Sequence, residues 1–206
     1  VAGNTRHYAA TVDKLMQSIG SRDDEIVFGL CVFVNRGRTI VIADTNVIEY
    51  PTSEELASIA KSSARVAKLL GLDPKIAFLS HSTFGQPETD RTKRISKAVE
   101  MLKDEKVDFL FDGEMQPDVA LEETYKELYP FSEIVGNANV LIMPALHSAA
   151  ISTKLMKVFG GGKNIGPLLI GLGQPIEVAP LRASTSEILN LASIAAYSSD
   201  VIDYSN

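Results

Sequence analysis

Residues 164–197 read NIGPLLIGLGQPIEVAPLRASTSEILNLASIAAY, and the fold class follows from this stretch and its surroundings. An apolar strand over residues 165–172 leads into a Gly-Gln-Pro turn and a short extended piece. A helix then begins, with Ser184 or Ser186 as the expected N-cap, because serine oxygens accept hydrogen bonds from the first free N–H groups of a helix. The stretch therefore predicts a buried strand, a turn and a helix in sequence.

The same alternation of strand and helix runs back to Ile76, and it predicts a mainly parallel sheet with right-handed crossovers and helices on both faces, an α/β fold. Upstream, two apolar runs flank a turn that contains glycine, which predicts a hairpin. Thr52 and Asp118 are the expected caps of two of the helices. The predicted strands cover residues 26–34, 39–43, 76–80, 109–112, 138–143 and 165–172, and the predicted helices begin near residues 8, 52, 89, 118, 148 and 184.

Composition limits the possible partners. The chain has 206 residues, 45% of them hydrophobic, which is enough for a sizeable core. A formal net charge of −6 argues against a nucleic-acid partner, and every apolar run is shorter than the roughly 20 residues of a membrane span. The single cysteine, Cys31, excludes a disulfide framework and favours a cytoplasmic setting. Because the first residue is Val1, we expect a piece of a longer polypeptide.

Candidate ligand-binding loops follow the predicted strands, since ligands of parallel sheets bind at the carboxyl ends of strands. The loop Ser80–Thr83 is rich in hydroxyl groups and predicts an anion site, with local capping as the alternative. The loop 112–114 carries two carboxylates, which can serve as a base or metal ligands, or can bind neighbouring backbone amides. The two remaining loops are 145–148 and 180–182.

Several kinds of site are excluded or weak. The histidines His7, His81 and His147 lack metal-ligand spacing, so no metal site is predicted. No GxGxxG, P-loop or GxSxG motif occurs. The phosphates of a coenzyme A would need a basic set, and Lys154, Lys157, Lys163 and Arg182 offer one near one predicted face, unless they are ordinary solvated side chains.

Seven segments, taken in order, resemble those of phosphotransacetylases: ADTNV (43–47), PTSEELASIA (51–60), LSHSTFG (79–85), DGEMQPDVAL (112–121), NANVLIMP (137–144), IGPLLIGLGQP (165–175) and ILNLASIAA (188–196). The variant they resemble most is the phosphotransacetylase-like C-terminal domain of bacterial hybrid malic enzymes, in which SHSTFG replaces the SxSTKGS of true transferases. The resemblance implies an isocitrate/isopropylmalate dehydrogenase-like architecture. Residues 1–151 would form its second subdomain, and residues 152–206 the returning part of an incomplete first subdomain.

The resemblance also implies that catalytic groups are lost. The family's catalytic serine falls on Pro180, its arginine on Leu181 and its aspartate on Glu187. The family's lysine is retained as Lys154. Because acyl transfer needs a base and a stabiliser of the developing oxyanion, we expect no catalytic residue here.

The implied function is regulatory. The chain resembles an inactive module that binds acetyl-CoA and inhibits the oxidative decarboxylation of malate to pyruvate by an NADP-dependent malic enzyme domain, which would itself need Mg or Mn. We expect a homodimer, within a higher oligomer of the parent protein, because Val140, Leu141 and Ile142 with neighbouring helices offer more apolar surface than one sheet face needs. The alternatives are an active phosphate acetyltransferase that uses Arg182 and Glu187, and a purely structural dimerisation domain. The expected acetyl-CoA ligands are Ser80, His81, Ser82, Thr83, Lys154 and Arg182.

Overall fold

The computed structural model describes residues 1–3, 5–23 and 25–201, which form an α/β fold around a six-stranded sheet. The α/β class predicted from the alternation of strands and helices is confirmed. In chain order the elements are β1 (Ala2–Gly3), α1 (Tyr8–Ile19), β2 (Phe28–Asn35), β3 (Arg38–Ala43), α2 (Ser53–Leu69), β4 (Lys75–Leu79), α3 (Asp90–Glu105), β5 (Leu110–Met115), α4 (Pro117–Leu121), a 3-10 helix (Glu123–Glu127), β6 (Val140–Ile142), α5 (Leu146–Phe159), β7 (Lys163–Ile170), β8 (Val178–Ala179) and α6 (Thr185–Val201).

The sheet has the strand order β5-β4-β6-β3-β2-β7. The strands β5, β4, β6 and β3 are parallel to one another, whereas β2 is antiparallel to both β3 and β7. The predicted hairpin is β2–β3, with Asn35 paired to Arg38 across a two-residue turn. Both turn residues have positive φ, 48° at Arg36 and 78° at Gly37, which is the geometry that matches the twist of a tight hairpin.

Helices cover both faces of the sheet. On one face, α2, α3 and α6 bury a cluster that includes Phe28, Phe78 and Leu191. On the other face, α4 and α5 pack against a second cluster that includes Ala77, Leu141 and Ala149. Val140, Leu141 and Ile142 are therefore buried within the chain, at 0%, 4% and 1% exposure. These three residues do not provide the apolar surface for a subunit interface that the sequence analysis expected from them.

Capping confirms two of the predicted helix starts. The Thr52 hydroxyl accepts from the Glu55 backbone N–H at 3.2 Å, and the Ser184 hydroxyl accepts from the Glu187 N–H at 3.2 Å. The predicted cap at Asp118 is wrong. The helix α4 begins at Pro117, and the Asp118 carboxylate instead accepts a hydrogen bond from the Tyr125 hydroxyl at 2.8 Å. Among the residues that the structure describes, no helix has both the length and the apolar character needed to cross a membrane.

Candidate functional site

A cleft of about 430 Å³ lies where β4, β5 and β6 end, because parallel strands bring their carboxyl ends to the same edge of the sheet. Its size suits a small-molecule ligand, for which pockets of roughly 300–1,000 Å³ are typical. The lining residues come from the end of β4, from the loops after β3, β4 and β6, and from the helices α3, α4 and α5: Tyr50, Leu79, Ser80, His81, Arg91, Arg94, Ile95, Pro117, Met143, Pro144, Ala145, His147, Ser148 and Ser152.

Two of the loops predicted at strand ends meet in this cleft. Ser80 and His81, from the loop after β4, line it together with Ala145, His147 and Ser148. Of the predicted loop 145–148, only Ala145 precedes the helix, because α5 already begins at Leu146. They are brought together because β4 and β6 are adjacent parallel strands, with Ile76 aligned to Val140. Of the six predicted acetyl-CoA ligands, the structure thus places two in the lining.

Ser82 and Thr83 lie behind the cleft and make hydrogen bonds within the protein. Ser82 is fully buried, and its hydroxyl donates to Glu114 Oε1 at 3.0 Å. The Thr83 hydroxyl accepts from the Gln116 backbone N–H at 3.2 Å. Thr83 and Gln86 also exchange backbone hydrogen bonds of 3.1 Å in both directions, which closes the loop. These contacts shape the loop that presents Ser80 and His81.

The loop predicted at residues 112–114 is wrong: these residues lie within β5, because Asp112 and Gly113 still pair with Ala77 and Phe78 of β4. Their carboxylates bind neighbouring groups of the protein. Asp112 Oδ1 accepts from the Gly113 backbone N–H at 2.9 Å. Glu114 is 1% exposed, and its carboxylate accepts from Ser82, from the Gly85 backbone N–H at 2.7 Å and from the Ser96 hydroxyl at 2.7 Å. The sequence left open whether these carboxylates serve as a base, as metal ligands or as partners of neighbouring groups. The observed hydrogen bonds match the last of these alternatives.

Arg94 ties two loops together at the rim of the cleft. Its guanidinium donates to the backbone oxygens of Pro51 and of Pro144, the latter at 2.8 Å, and lies 3.8 Å from the centre of the Tyr50 ring. Burial lowers the pKa of Arg94 below its usual value, but an arginine stays charged in proteins. Arg94 therefore fixes the positions of the loops after β3 and β6 and adds positive charge to the cleft.

The cleft lining as a whole favours an anion. Arg91 and Arg94 contribute two guanidinium groups, His81 and His147 contribute two imidazoles, and the described lining holds no aspartate or glutamate. Arginine and hydroxyl groups form strong hydrogen bonds with phosphate and carboxylate oxygens. Sequence reasoning missed Arg91, Arg94 and Tyr50; the available signal was the i, i+3 spacing of the two arginines, which places them on one side of α3.

The two other predicted ligands lie outside the lining of the cleft. Lys154 is exposed on α5, two residues beyond Ser152, and Arg182 is exposed in the turn between β8 and α6. Neighbouring Lys157 pairs with Glu187 at 3.2 Å. The roles predicted for Lys154 and Arg182 stay predictions.

The positions onto which the resemblance maps the family's catalytic groups make hydrogen bonds within the protein. The Pro180 backbone oxygen accepts from the Ala183 N–H at 3.0 Å, within the turn that leads to α6. The carboxylate of Glu187 accepts from the Ser184 backbone N–H at 2.8 Å and from its hydroxyl at 2.9 Å. Together with the Lys157 pair, these hydrogen bonds lower the pKa of Glu187. Glu187 thus completes the cap of α6 as an ionised group.

Comparison with known proteins places these features in a family. Residues 1–196 match the family described as phosphate acetyl/butaryl transferase. An NADP-dependent malic enzyme of Rhizobium meliloti is 47% identical over 197 residues, and the alignment covers 96% of this chain and 26% of that protein. A phosphate acetyltransferase of Bacillus subtilis is 32% identical over 198 residues, with 95% of this chain and 61% of that protein covered.

Solved structures agree with the sequence matches. A phosphotransacetylase from Streptococcus pyogenes superposes with a TM-score of 0.86 at 32% identity, over 94% of this chain and 60% of that one. A 4-hydroxythreonine-4-phosphate dehydrogenase from Klebsiella pneumoniae, 13% identical with a TM-score of 0.52, shares the fold. The chain spans between about a fifth and about a quarter of the length of the malic enzymes it matches, from 21% to 27%. The chain belongs to the phosphate acetyl/butaryl transferase family.

Proposed function

We propose that this chain is a regulatory and oligomerising module of an NADP-dependent malic enzyme, and that it binds acetyl-CoA as an allosteric inhibitor of the conversion of malate to pyruvate. The observation that carries the proposal is the pattern of similarity. The chain is 47% identical to a malic enzyme and 32% identical to a phosphate acetyltransferase over almost the same length. Pro180 and Leu181 stand where the family resemblance expects a serine and an arginine, which supports a binding role without acyl transfer.

The cleft supports the choice of ligand. Coenzyme A carries several phosphate groups, and the described lining of the cleft holds Arg91, Arg94, His81 and His147 but no acidic residue. Binding makes weaker demands than catalysis, because it needs shape and phosphate contacts but no base or oxyanion donor. A ligand inhibits only if it binds one arrangement of the protein better than another, so acetyl-CoA must favour a less active arrangement of the parent enzyme.

The remaining parts of the proposal concern the parent protein. NADP and Mg or Mn would bind in a malic enzyme domain of the same polypeptide, in a cytoplasmic setting. The division into residues 1–151 and 152–206, with an incomplete first subdomain, stays a prediction.

Homodimerisation of the chain is also proposed. It is supported by four large apolar side chains that α5 leaves exposed, since such patches mark subunit interfaces: Ile151, Leu155, Val158 and Phe159, at 60%, 51%, 75% and 82% exposure.

The second candidate function is an active phosphate acetyltransferase. Two observations favour it. The chain aligns with 61% of the length of the Bacillus subtilis phosphate acetyltransferase, and Arg182 lies one residue beyond the position of the family's arginine. In that case Arg182 would polarise the acyl group and Glu187 would accept a proton. A purely structural dimerisation domain that binds no ligand is the third possibility.

One experiment separates these functions. The full-length protein is titrated with acetyl-CoA by calorimetry and is assayed for acetyl transfer between acetyl phosphate and coenzyme A. We expect binding without turnover. Turnover that is abolished in Arg182→Ala would establish the transferase, and a lack of both binding and turnover would leave the structural role.

The predicted ligand residues outside the cleft allow a separate test. Lys154→Glu and Arg182→Glu should each relieve inhibition of malate oxidation by acetyl-CoA, with the uninhibited rate changed by less than about threefold, which corresponds to under roughly 1 kcal/mol. The physical reason is that each substitution replaces a positive charge near a phosphate by a negative one. The measurement is the acetyl-CoA concentration that halves the rate. Unchanged inhibition in both variants would remove these two residues from the site.

A further inference from the structure

Glu114 is a buried carboxylate directly behind the cleft, and its hydrogen bonds reach two walls of the cleft. The residue lies near the carboxyl end of β5 and is 1% exposed. A buried carboxylate is costly unless hydrogen bonds satisfy it, and Glu114 receives three: from the Ser82 hydroxyl, the Gly85 N–H and the Ser96 hydroxyl. The Glu114 side chain is absent from the described lining of the cleft, so any effect on a ligand must act through these partners.

The two carboxylate oxygens serve different walls. Oε1 accepts from Ser82 at 3.0 Å and from Gly85 at 2.7 Å, both in the loop that presents Ser80 and His81. Oε2 accepts at 2.7 Å from Ser96 on α3, the helix that carries Arg91 and Arg94 into the cleft. This single carboxylate therefore bridges the hydroxyl-bearing loop and the basic helix.

The direction of the hydrogen bonds extends this link to the cleft surface. A carboxylate only accepts hydrogen bonds, so the Ser82 hydroxyl donates its one proton to Glu114. The Ser82 oxygen lies 3.0 Å from the Ser80 oxygen and can therefore accept a hydrogen bond from the Ser80 hydroxyl. Ser80 Oγ also accepts from the Ser82 backbone N–H at 3.3 Å. The Ser80 oxygen thus stays in place when its hydroxyl turns its proton towards an anion in the cleft.

We propose that Glu114 is a positioning residue that couples the loop carrying Ser80 and His81 to the helix carrying Arg91 and Arg94, so that the two walls bind an anionic ligand as one unit. The identity of that ligand as acetyl-CoA rests on the proposed function. The coupling itself requires only that the cleft binds a phosphate group.

Glu114→Gln tests the proposal with little change of shape. The glutamine keeps one accepting oxygen for the loop but loses the charge, and it can offer an N–H₂ group where Ser96 previously donated. We expect the affinity for acetyl-CoA, measured by calorimetry, to fall by about tenfold or more, as for the loss of a hydrogen bond to a charged group. Glu177→Gln is the matched control, because Glu177 is also buried, at 4% exposure, but does not line the cleft. Its affinity should stay within about twofold of the wild type.

The two arms of the carboxylate are separated by Ser82→Ala, Ser96→Ala and the double variant. If both arms act through Glu114, each single substitution weakens binding and the double substitution is clearly less harmful than the product of the two, since residues of one network are not additive. Independent, multiplicative losses would overturn the coupling. All affinities are measured under conditions in which circular dichroism shows that every variant is folded.

An NMR signature distinguishes positioning from a general loss of structure. The 206-residue chain holds three histidines, so its imidazole signals are few, and inorganic phosphate should shift those of His81 and His147 but not that of His7. In Glu114→Gln the His81 response should shrink while the His7 signal stays unchanged. A full His81 response and wild-type affinity in this variant would overturn the proposal. Binding of phosphate without binding of acetyl-CoA would overturn the proposed function alone, and binding of neither would overturn both.

Discussion

Replacing Arg91 by glutamate should weaken acetyl-CoA binding by roughly 10- to 100-fold, because a hydrogen bond to a charged group contributes about 1.5–3 kcal/mol. Arg91 lies in the first turns of α3, is exposed, and lines the cleft together with His81 and Ser80. The substitution removes a guanidinium that can bind a phosphate in a bidentate manner and places a carboxylate in its stead. Since the side chain is exposed, the effect should diminish as salt is added.

The measurement is calorimetric titration of the full-length protein at low and at high ionic strength. Lys103→Glu is the matched control: it makes the same charge change on the same helix, and Lys103 is exposed and outside the described lining of the cleft. Twelve residues of helix separate the two positions, or about 18 Å. If Arg91→Glu binds as tightly as the wild type while Lys154→Glu or Arg182→Glu does not, the ligand phosphates lie outside this cleft.

Glu177→Gln should stabilise the chain at alkaline pH by about 3–5 kcal/mol and should have little effect near pH 4. Glu177 lies next to β8, is 4% exposed, and accepts a hydrogen bond from the Leu169 backbone N–H at 2.9 Å. Burial raises the pKa of its carboxyl from an ordinary 4.5 to about 8, against the smaller opposing effect of that hydrogen bond. A glutamine keeps the accepting oxygen and has no charge to bury.

The sign of the pH dependence follows from the raised pKa. The folded chain holds the proton more tightly than the unfolded chain, so the contribution of Glu177 to stability is fully present below pH 4.5 and is lost as the pH rises through 8. Glutamine does not titrate. The difference in unfolding free energy between the variant and the wild type should therefore grow between these two pH values and level off above them.

Urea unfolding of the 206-residue chain at pH 4.5, 7 and 9 checks this expectation. Burial also raises the pKa of Asp44. Its effect on the unfolding free energy is the same in the wild type and in the variant, so it cancels in the difference between them. Glu100→Gln, at an exposed position of α3, is the control and should show no such trend. A difference that stays constant with pH would mean that Glu177 is ionised in the folded chain.

Much of the candidate site depends on residues that are distant in sequence. The loops at Ser80 and at residues 145–148 were predicted from their position after strands, and adjacent parallel strands do bring them together. The arginines of α3 were not predicted to line the cleft, because their spacing places them on one side of the helix but does not show that this side faces the cleft. Ser82 and Thr83 were predicted as ligands from their hydroxyl groups alone, whereas their partners Glu114 and Gln116 are more than thirty positions away.

The sequence alone determined the features that depend on near neighbours. The hairpin β2–β3, the caps at Thr52 and Ser184 and the alternation of strand and helix all arise from hydrogen bonds and side-chain periodicity within a few residues, so both partners of each interaction stand close together in the sequence. The tertiary structure alone decided that β2 joins β3 to β7, that Arg94 bridges Pro51 and Pro144, and that Glu114 links Ser82 to Ser96. These contacts join groups whose proximity comes from the packing of the whole sheet, and local propensity carries no information about such distances.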